Sequence, residues 1–73
     1  MTIVERFGRN LRAARLAAGL TQEELADRCG IHSTSLSQIE RGMRQTFVDT
    51  QVRLAIALGT TPNELCRGTG WEG

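Results

Sequence analysis

Residues 21–40 read TQEELADRCGIHSTSLSQIE and contain two short helical patterns on either side of Gly30. The first pattern places three apolar residues on one helical face: Leu25, Ala26 and Cys29. In the second pattern Leu36 and Ile39 form the only apolar stripe, and the other positions are polar. Glycine lets the chain reverse sharply because it has no Cβ. The stretch therefore predicts two short helices held at a fixed angle, which is a helix-turn-helix.

Capping signals extend this helical pattern to the rest of the chain. A threonine stands three residues before an acidic residue at Thr2–Glu5, Thr21–Glu24, Thr46–Asp49 and Thr61–Glu64. In such a pair the hydroxyl accepts a hydrogen bond from the later amide, and a glutamate can bond back. Glycines at suitable spacing mark the helix ends. We therefore expect helices at about residues 2–18, 21–29, 32–40, 47–58 and 61–67.

Apolar spacing in the flanking segments predicts the same fold class. Apolar residues recur at helical intervals at Phe7, Leu11 and Ala14, and again at Val48, Val52, Ala55 and Leu58. Residues that recur every three or four positions share one face of a helix. No alternation long enough for a strand occurs in the sequence. We expect an all-α fold, a compact five-helix bundle.

Length and composition limit what such a domain can be. The 73 residues suffice for one domain, which we place at residues 1–68, followed by a short tail at 69–73. Two cysteines and one histidine cannot build a disulfide scaffold or a zinc site, so we expect no metal and no cofactor. The sequence contains neither an apolar run of about 18 residues nor a signal peptide, and we therefore expect a cytoplasmic protein.

The inventory of reactive side chains argues against an enzyme. One histidine, no tyrosine and no glycine-rich phosphate loop leave no catalytic constellation.

The net charge of +1 is weak support for a nucleic-acid partner. All nine basic residues are arginines, however, and seven of them lie in the first 44 positions. Arginine is the better bidentate partner for phosphate and guanine.

The third predicted helix presents an unusual polar face. Four neutral polar residues point away from its apolar stripe: Ser33, Thr34, Ser37 and Gln38. Serine and threonine are poor helix formers, and an ordinary solvent-exposed helix carries lysine, glutamate and arginine instead. Hydroxyl and amide groups can, however, bond base edges in the major groove of DNA. This face therefore favours sequence-specific DNA binding.

Several longer motifs resemble those of a known family. They are RxxxGLTQEELA at 15–26, GIxxxxLSxIERG at 30–42, LAIALG at 54–59 and PNEL at 62–65. Together they resemble the phage-repressor and Cro type of helix-turn-helix protein, the xenobiotic-response-element family, over about residues 7–66. The chain is similar in size to small Cro-like regulators and to restriction–modification controller proteins. The resemblance implies a lambda-repressor-like bundle whose second and third helices read DNA.

The resemblance also implies roles for individual residues. The base-contacting residues would be Ser33, Thr34, Ser37 and Gln38. The phosphate-contacting residues would be Thr21, Gln22, Arg12, Arg41 and Arg44, with Asn10 and Arg9 as further candidates on the flank. Arg15 and Glu40 would form a buried structural ion pair. The dimer interface would involve Thr60, Pro62, Leu65, Cys66 and Trp71, with a fold of Trp71 back over its own core as the alternative. Phe47 departs from the family pattern, and we expect it in the core or the dimer rather than stacked on a base.

The function expected is a transcriptional regulator that binds a palindromic operator as a homodimer, with its third helix in the major groove. A two-fold dimer suits half-sites about one turn apart. RNA polymerase is a further candidate partner, through the acidic residues Glu23, Glu24 and Asp27, and no small-molecule effector is expected. The alternative is a protein-interaction module, such as a coactivator or an antitoxin-like protein, that uses the same fold.

Overall fold

Five α-helices make up most of residues 2–68, the part of the chain that the computed structural model describes. They are α1 (Ile3–Ala17), α2 (Gln22–Cys29), α3 (Ser33–Glu40), α4 (Val48–Leu58) and α5 (Pro62–Leu65). No strand occurs among these residues. The predicted all-α fold class and all five helices are therefore confirmed. The predicted bounds are generally one residue too wide, and α5 ends two residues earlier than expected. Residues 69–73, the predicted tail with Trp71, lie outside the described residues.

Two of the predicted capping boxes form completely. Thr21 Oγ1 accepts a hydrogen bond from the Glu24 amide at 3.1 Å, and Glu24 Oε1 accepts one from the Thr21 amide at 3.0 Å. Thr2 and Glu5 form the same pair of bonds at the start of α1. Each box satisfies two backbone donors that a helix start leaves without partners. Helices α1 and α2 therefore begin at positions that the local sequence fixes.

The predicted capping pair at Thr46 and Asp49 is wrong. The N-cap residue of α4 is Phe47, whose side chain makes no capping hydrogen bond. Thr46 Oγ1 instead accepts a hydrogen bond from Gln51 Nε2 at 3.1 Å. This bond crosses from the loop to the second turn of α4, and it competes with the capping arrangement for the same hydroxyl.

The core lies where α1, α2, α3 and α4 meet. It consists of Phe7, Leu11, Leu25, Ala26, Cys29, Leu36, Ile39, Leu54, Ala55 and Leu65. Helix α1 approaches the end of α3 closely at Gly8, where a Cβ atom would collide with the backbone carbonyls of Ile39 and Glu40. Glycine at this position thus allows backbone-to-backbone contact. The buried side chains of α3 fix that helix from its inner side.

Helix α4 departs from the expected amphipathic pattern. Its buried residues are Leu54 and Ala55, whereas Val48 and Val52 are 68% and 39% exposed. The sequence pattern that groups Val48 and Val52 with the core side of α4 is therefore wrong. Helix α4 packs on α2 and α5. That packing leaves one apolar side of α4 facing solvent. Within residues 2–68, no helix is long and apolar enough to cross a membrane.

Candidate nucleic-acid interface

A short turn at Gly30 sets the angle between α2 and α3. Gly30 adopts φ 69° and ψ 31°, the left-handed conformation that glycine enters without steric cost. The amide of Ile31 donates to the Ala26 carbonyl at 3.0 Å, which closes the end of α2. Leu25 and Leu36 are fully buried on the two helices that flank this turn. The helix-turn-helix is therefore a rigid unit whose geometry follows from local sequence and core packing.

The outer face of α3 is polar and borders an open cleft. Three of the four predicted base-contacting residues line this cleft, together with α2 and the α1–α2 turn: Ser33, Thr34 and Ser37. Gln38 is half-buried and lies outside the cleft lining. His32 occupies the N-cap of α3, and its side chain is exposed and makes no capping hydrogen bond. The first turn of α3 is thus open to solvent.

The predicted phosphate-contacting residues fall into two groups. Thr21, Gln22 and Arg41 line the same cleft as the polar face of α3. Arg12 lies beside Gln22 and Arg41 in a second depression that adjoins the cleft. Arg44 is not part of either depression. Four of the five side chains therefore border a continuous surface next to the polar face of α3.

A buried ion pair anchors the end of α3 to α1. Arg15 Nε lies 2.7 Å from Glu40 Oε2, and Arg15 Nη2 lies 3.1 Å from Glu40 Oε1, which is a bidentate arrangement. The side chains are 9% and 1% exposed. Arg15 Nη1 also donates to the Leu20 carbonyl at 2.9 Å. The pair predicted from the family resemblance is present, and it also fixes the turn before α2.

Gln22 connects this ion pair to the cleft. Its Nε2 donates to Glu40 Oε1 at 3.0 Å, a bond that the sequence does not predict. A glutamine amide has two N–H donors, so one remains for a ligand in the cleft. No buried side-chain nitrogen or oxygen among residues 2–68 lacks a hydrogen-bond partner. Gln22 is thus oriented by a buried carboxylate that is itself held by Arg15.

Arg44 contacts α3 instead of standing free in the loop. Its Nη1 donates to Ser35 Oγ at 3.1 Å and, over a longer distance of 3.4 Å, to Gln38 Oε1. Ser35 was not among the predicted site residues. Its position three residues before Gln38 is the signal that could have found it, because such residues are neighbours on a helix surface. Arg44 therefore constrains the side chain of Gln38.

Two of the sequence-based assignments need correction. Asn10 Nδ2 donates to the carbonyls of Leu65 at 2.9 Å and Arg67 at 2.7 Å, so both of its donors hold the end of α5. Asn10 is consequently a structural residue and not a phosphate contact. Leu65 is only 1% exposed and belongs to the core of its own chain. Its side chain therefore has no surface left to contribute to a dimer interface.

The other predicted interface residues differ in accessibility. Pro62 is exposed, Thr60 and Cys66 are half-buried, and Trp71 lies outside the described residues. Phe47 is 81% exposed, which excludes the core location and leaves the dimer as its expected place. Thr60 and Pro62 follow the left-handed cap of α4 at Gly59, and the amide of Thr60 donates back to the Ala55 carbonyl at 2.9 Å.

Two kinds of titratable group show a clear shift. Backbone and side-chain hydrogen bonds with Thr21 lower the pKa of Glu24, and those with Thr2 lower the pKa of Glu5 in the same way. Burial raises the pKa of the Cys29 thiol. A raised pKa disfavours the reactive thiolate, so Cys29 behaves as a small apolar core residue. Within residues 2–68 no group of three or more metal-binding side chains occurs.

Comparison with known proteins identifies the family. The family described as a helix-turn-helix domain matches residues 6–67. The control protein C.BamHI of Bacillus amyloliquefaciens is 40% identical over 60 residues, which cover 81% of this chain and 74% of that protein. The crystal structure of the restriction-modification controller protein C.AhdI from Aeromonas hydrophila has 39% sequence identity and a TM-score of 0.82. That match covers 85% of this chain and 94% of that chain.

A phage protein matches equally well in shape. The DNA-binding domain of the P22 c2 repressor has a TM-score of 0.82 at 26% identity, and the match covers 89% of this chain and 86% of that domain. The resemblance to phage repressors and to controller proteins is thus confirmed. The relatives are transcriptional regulators rather than enzymes. The chain belongs to the helix-turn-helix family of DNA-binding transcriptional regulators and is related to the control proteins of restriction–modification systems.

Proposed function

We propose that this protein binds a palindromic operator in double-stranded DNA as a homodimer, with α3 in the major groove. The observation that carries the proposal is the neutral polar face of α3, which lies beside a surface bordered by Arg12 and Arg41. A face without charged side chains is suited to base edges, and arginines beside it are suited to phosphates. The helix-turn-helix holds both surfaces in one fixed orientation.

The base contacts follow from the chemistry of the exposed side chains. Ser33, Thr34 and Ser37 carry hydroxyl groups that can both donate to and accept from base edges. The methyl group of Thr34 can also contact the methyl group of thymine. Gln38 can bond adenine through its amide, with the carbonyl accepting from N6 and the amide nitrogen donating to N7. Together these residues read a short half-site.

The phosphate contacts follow from the α2 N-terminus and its neighbours. Three residues at the start of α2 line the cleft that would receive the DNA backbone: Thr21, Gln22 and Glu23. Backbone amides at a helix start attract anions because their partial positive charge is not cancelled within the helix. Arg12 and Arg41 add full charges on the adjoining surface. The buried Arg15–Glu40 pair keeps Gln22 in place for this contact.

Arg44 has a different role from Arg41 in this proposal. Arg44 bonds Ser35 and Gln38, so it orients a residue that reads a base. One lone pair of Gln38 Oε1 is occupied by Arg44, and the second stays available to a base amino group. Arg44 retains other N–H groups that can contact a phosphate at the same time. It would therefore influence sequence preference as well as affinity.

The test is a selection from random duplex DNA with the purified protein at about 0.1 M salt. The binding constant for the enriched sequence is then measured over a range of salt concentrations. We expect an enriched palindrome with half-sites about one helical turn apart. The logarithm of the binding constant should fall with slope near −0.9 per phosphate contact, for about three to five contacts per chain. No enrichment, with weak binding that is insensitive to salt, would favour the protein-interaction module instead.

A further inference from the structure

A small pocket lies where the start of α1, the loop after α3 and the residues after α5 come together. Its volume is about 80 Å³. Ile3, Val4 and Phe7 of α1 line it, together with Cys66 and the loop residues 44–46. We refer to it as the α1 pocket.

The α1 pocket leaves apolar surface open at the edge of the core. Phe7 is 5% exposed and belongs to the core, whereas Ile3, four residues earlier on the same side of α1, is 52% exposed. Val4 and Cys66 are half-buried. Apolar pockets with a few polar groups commonly receive apolar groups of a ligand. The α1 pocket therefore offers a place for an apolar group that residues 2–68 do not supply.

The chain after α5 runs along α1 towards this pocket. Asn10 Nδ2 donates to the carbonyls of Leu65 and Arg67. Gly68 then lies against Arg6, which is about one helical turn nearer the start of α1. A Cβ atom on Gly68 would lie 3.5 Å from Arg6 Cδ, which is ordinary contact. The described chain thus ends on its way from Asn10 to the residues that line the pocket.

We propose that the indole ring of Trp71 of the same chain occupies the α1 pocket. Trp71 lies outside the described residues, three positions after Gly68. Three extended residues span about 10 Å, whereas Arg6 and Ile3 are about 4.5 Å apart along the axis of α1. The proposal goes beyond the proposed function and does not depend on it, because it assigns Trp71 to its own chain instead of the dimer interface.

The size and lining of the pocket suit part of an indole ring. A cavity of about 150 Å³ holds a benzene molecule. A pocket of about 80 Å³ would therefore enclose one edge of the indole and leave the rest at the rim. Phe7 supplies an aromatic neighbour, and aromatic rings pack favourably in offset or edge-to-face arrangements.

Gln51 supplies a hydrogen-bond acceptor for the indole N–H. Gln51 lines the pocket, and its Nε2 donates to Thr46 Oγ1 at 3.1 Å, which orients the amide group. Its Oε1 accepts no hydrogen bond from residues 2–68. The N–H of a buried tryptophan usually has a partner. Gln51 Oε1 is therefore the acceptor that we expect for Trp71.

Charge at the rim favours the tail over a small apolar molecule. Glu72 directly follows Trp71, so a docked Trp71 would bring a carboxylate to the rim. Arg44 lines the pocket and is exposed, and Arg6 borders Gly68. Opposite charges at a surface attract, although weakly. An uncharged molecule would gain nothing from these arginines.

The position of Gly68 favours the tail of the same chain over that of a second copy. Because Gly68 already lies against Arg6, the pocket is within reach of Trp71 without any association of chains. A short connection gives an effective concentration in the millimolar range, which the tail of another molecule does not have. Docking should therefore be independent of protein concentration.

Docking would also connect the tail to the reading side of the molecule. The loop residues 44–46 line the pocket and join α3 to α4, so a docked indole would hold this loop against α1. Arg44 of the loop bonds Gln38 Oε1. Trp71 would therefore support the side chain that we place against a base. This consequence, unlike the docking itself, rests on the proposed function.

The first experiment measures the fluorescence of the wild-type protein without DNA. The chain has one tryptophan, so the emission reports on Trp71 alone. We expect the native protein to emit at shorter wavelength than the urea-unfolded protein, and acrylamide to quench it less efficiently. Both readings should stay constant as the protein is diluted.

The second experiment compares two exposed isoleucines. Ile3→Asp places a charge in the lining of the α1 pocket and should move the emission towards that of the unfolded protein. Ile56→Asp is the matched control, because Ile56 is 73% exposed on α4 and does not line the pocket. Its emission should equal that of the wild type. Circular dichroism would verify that both variants stay folded.

The third experiment measures thermal unfolding at a concentration that keeps the chain monomeric. Trp71→Ala should lower the midpoint by about 4–8 °C, as for the loss of a partly buried side chain in a domain of this size. Phe47→Ala is the control, since Phe47 is 81% exposed and does not line the pocket. It should lower the midpoint by less than about 3 °C.

Three outcomes would overturn the inference. The native emission could equal that of the unfolded protein, or Ile3→Asp could leave it unchanged. A blue shift that disappears on dilution and in Ile56→Asp would place Trp71 between two chains instead. None of these readings involves DNA. A failed selection of DNA would therefore contradict the proposed function and leave the place of Trp71 intact.

Discussion

Helices α3 and α4 both leave a broad side exposed, but the chemistry of the two sides is opposite. The exposed side of α3 carries hydroxyl and amide groups and borders arginines. The exposed side of α4 carries valine, isoleucine and, at its start, phenylalanine. Neither side contributes to the core, and each costs stability or solubility in an isolated chain. Under the proposed function the polar side of α3 meets DNA, whereas the apolar side of α4 has no contact within residues 2–68 that buries it.

The two helices also differ in how they are held. The end of α3 is fixed by Glu40, which accepts hydrogen bonds from Arg15 and Gln22. Neither helix has a side-chain cap at its start, but within residues 2–68 no ion pair holds α4 as Arg15 and Glu40 hold α3. A helix that reads base edges needs a defined position, because a displacement of about 1 Å breaks hydrogen bonds. A contact between apolar surfaces tolerates more displacement of the helix, because burial of apolar surface has no preferred direction.

The largest expected effect comes from removing the anchor of α3. Glu40→Ala should lower the free energy of unfolding by about 3–5 kcal/mol, because it leaves the buried guanidinium of Arg15 without its partner. Urea denaturation measures the loss. Glu23→Ala, an exposed glutamate on α2, is the control and should change stability by less than about 0.5 kcal/mol. A small loss for Glu40→Ala would show that α3 does not depend on this ion pair.

The next prediction compares the two sides of α4 directly. Leu54→Ala should lower the free energy of unfolding by about 2–5 kcal/mol, because Leu54 is fully buried. Ile56→Ala should change that of the monomer by less than about 0.5 kcal/mol, because its side chain is 73% exposed. Thermal unfolding of both variants, at a concentration that keeps the chain monomeric, measures the two changes in the free energy of unfolding. Equal losses would mean that Ile56 belongs to the monomer's own packing.

The sequence predicts those features whose signals are local. The capping boxes at Thr2 and Thr21 involve residues three apart, and the turn at Gly30 depends on a single glycine. These signals give the helix starts to within one residue. Thr46 shows their limit, because a hydroxyl that could cap α4 bonds Gln51 instead. A local pattern cannot tell which of two nearby partners the folded chain favours.

Features that depend on distant parts of the chain are less predictable. Arg15 and Glu40 are 25 positions apart, and only the family resemblance suggested their pairing. The bonds of Asn10 to the end of α5 span more than 50 positions, and no sequence signal indicates them. On α4, the four-residue spacing of Val48 and Val52 places both on one side of the helix, but it does not show whether that side is buried or exposed. Which side is buried depends on how α4 packs on α2 and α5.

A smaller effect concerns the reading side of α3. Gln38→Ala should cost about 1–3 kcal/mol of binding free energy on the selected operator and weaken the preference for one base at one position of the half-site. Arg44→Ala should alter preference at that same position, since Arg44 bonds Gln38 Oε1. Arg41→Ala should weaken binding to all sequences alike, and it should make the slope of log binding constant against log salt concentration shallower by about 0.9. Binding to all single-base variants of one half-site tests this. If Arg44→Ala resembled Arg41→Ala, Arg44 would be a phosphate contact only.

The smallest effect contrasts the capped start of α2 with the uncapped start of α4. Hydrogen bonds from the Thr21 backbone amide, and after it the Thr21 side chain, lower the pKa of Glu24 below its ordinary value of 4.5. Thr21→Ala removes the side-chain contribution and keeps the amide, so the pKa should rise only part of the way towards that value. Because the folded-state pKa is the lower one, the stabilisation from Glu24 is complete above pH 4.5. It is lost as the pH falls through the folded-state pKa.

NMR titration of the Glu24 carboxyl carbon measures both values, and amide exchange then reports the consequence for each helix. The protection of the first-turn amides of α2, relative to the intrinsic exchange rate at each pH, should fall in acid, because protonated Glu24 no longer accepts strongly from the Thr21 amide. Exchange in the first turn of α4 should show no matching step, since no capping side chain titrates at Phe47. An equal step at both helices would attribute the change to the whole domain and would remove the contrast between the two starts.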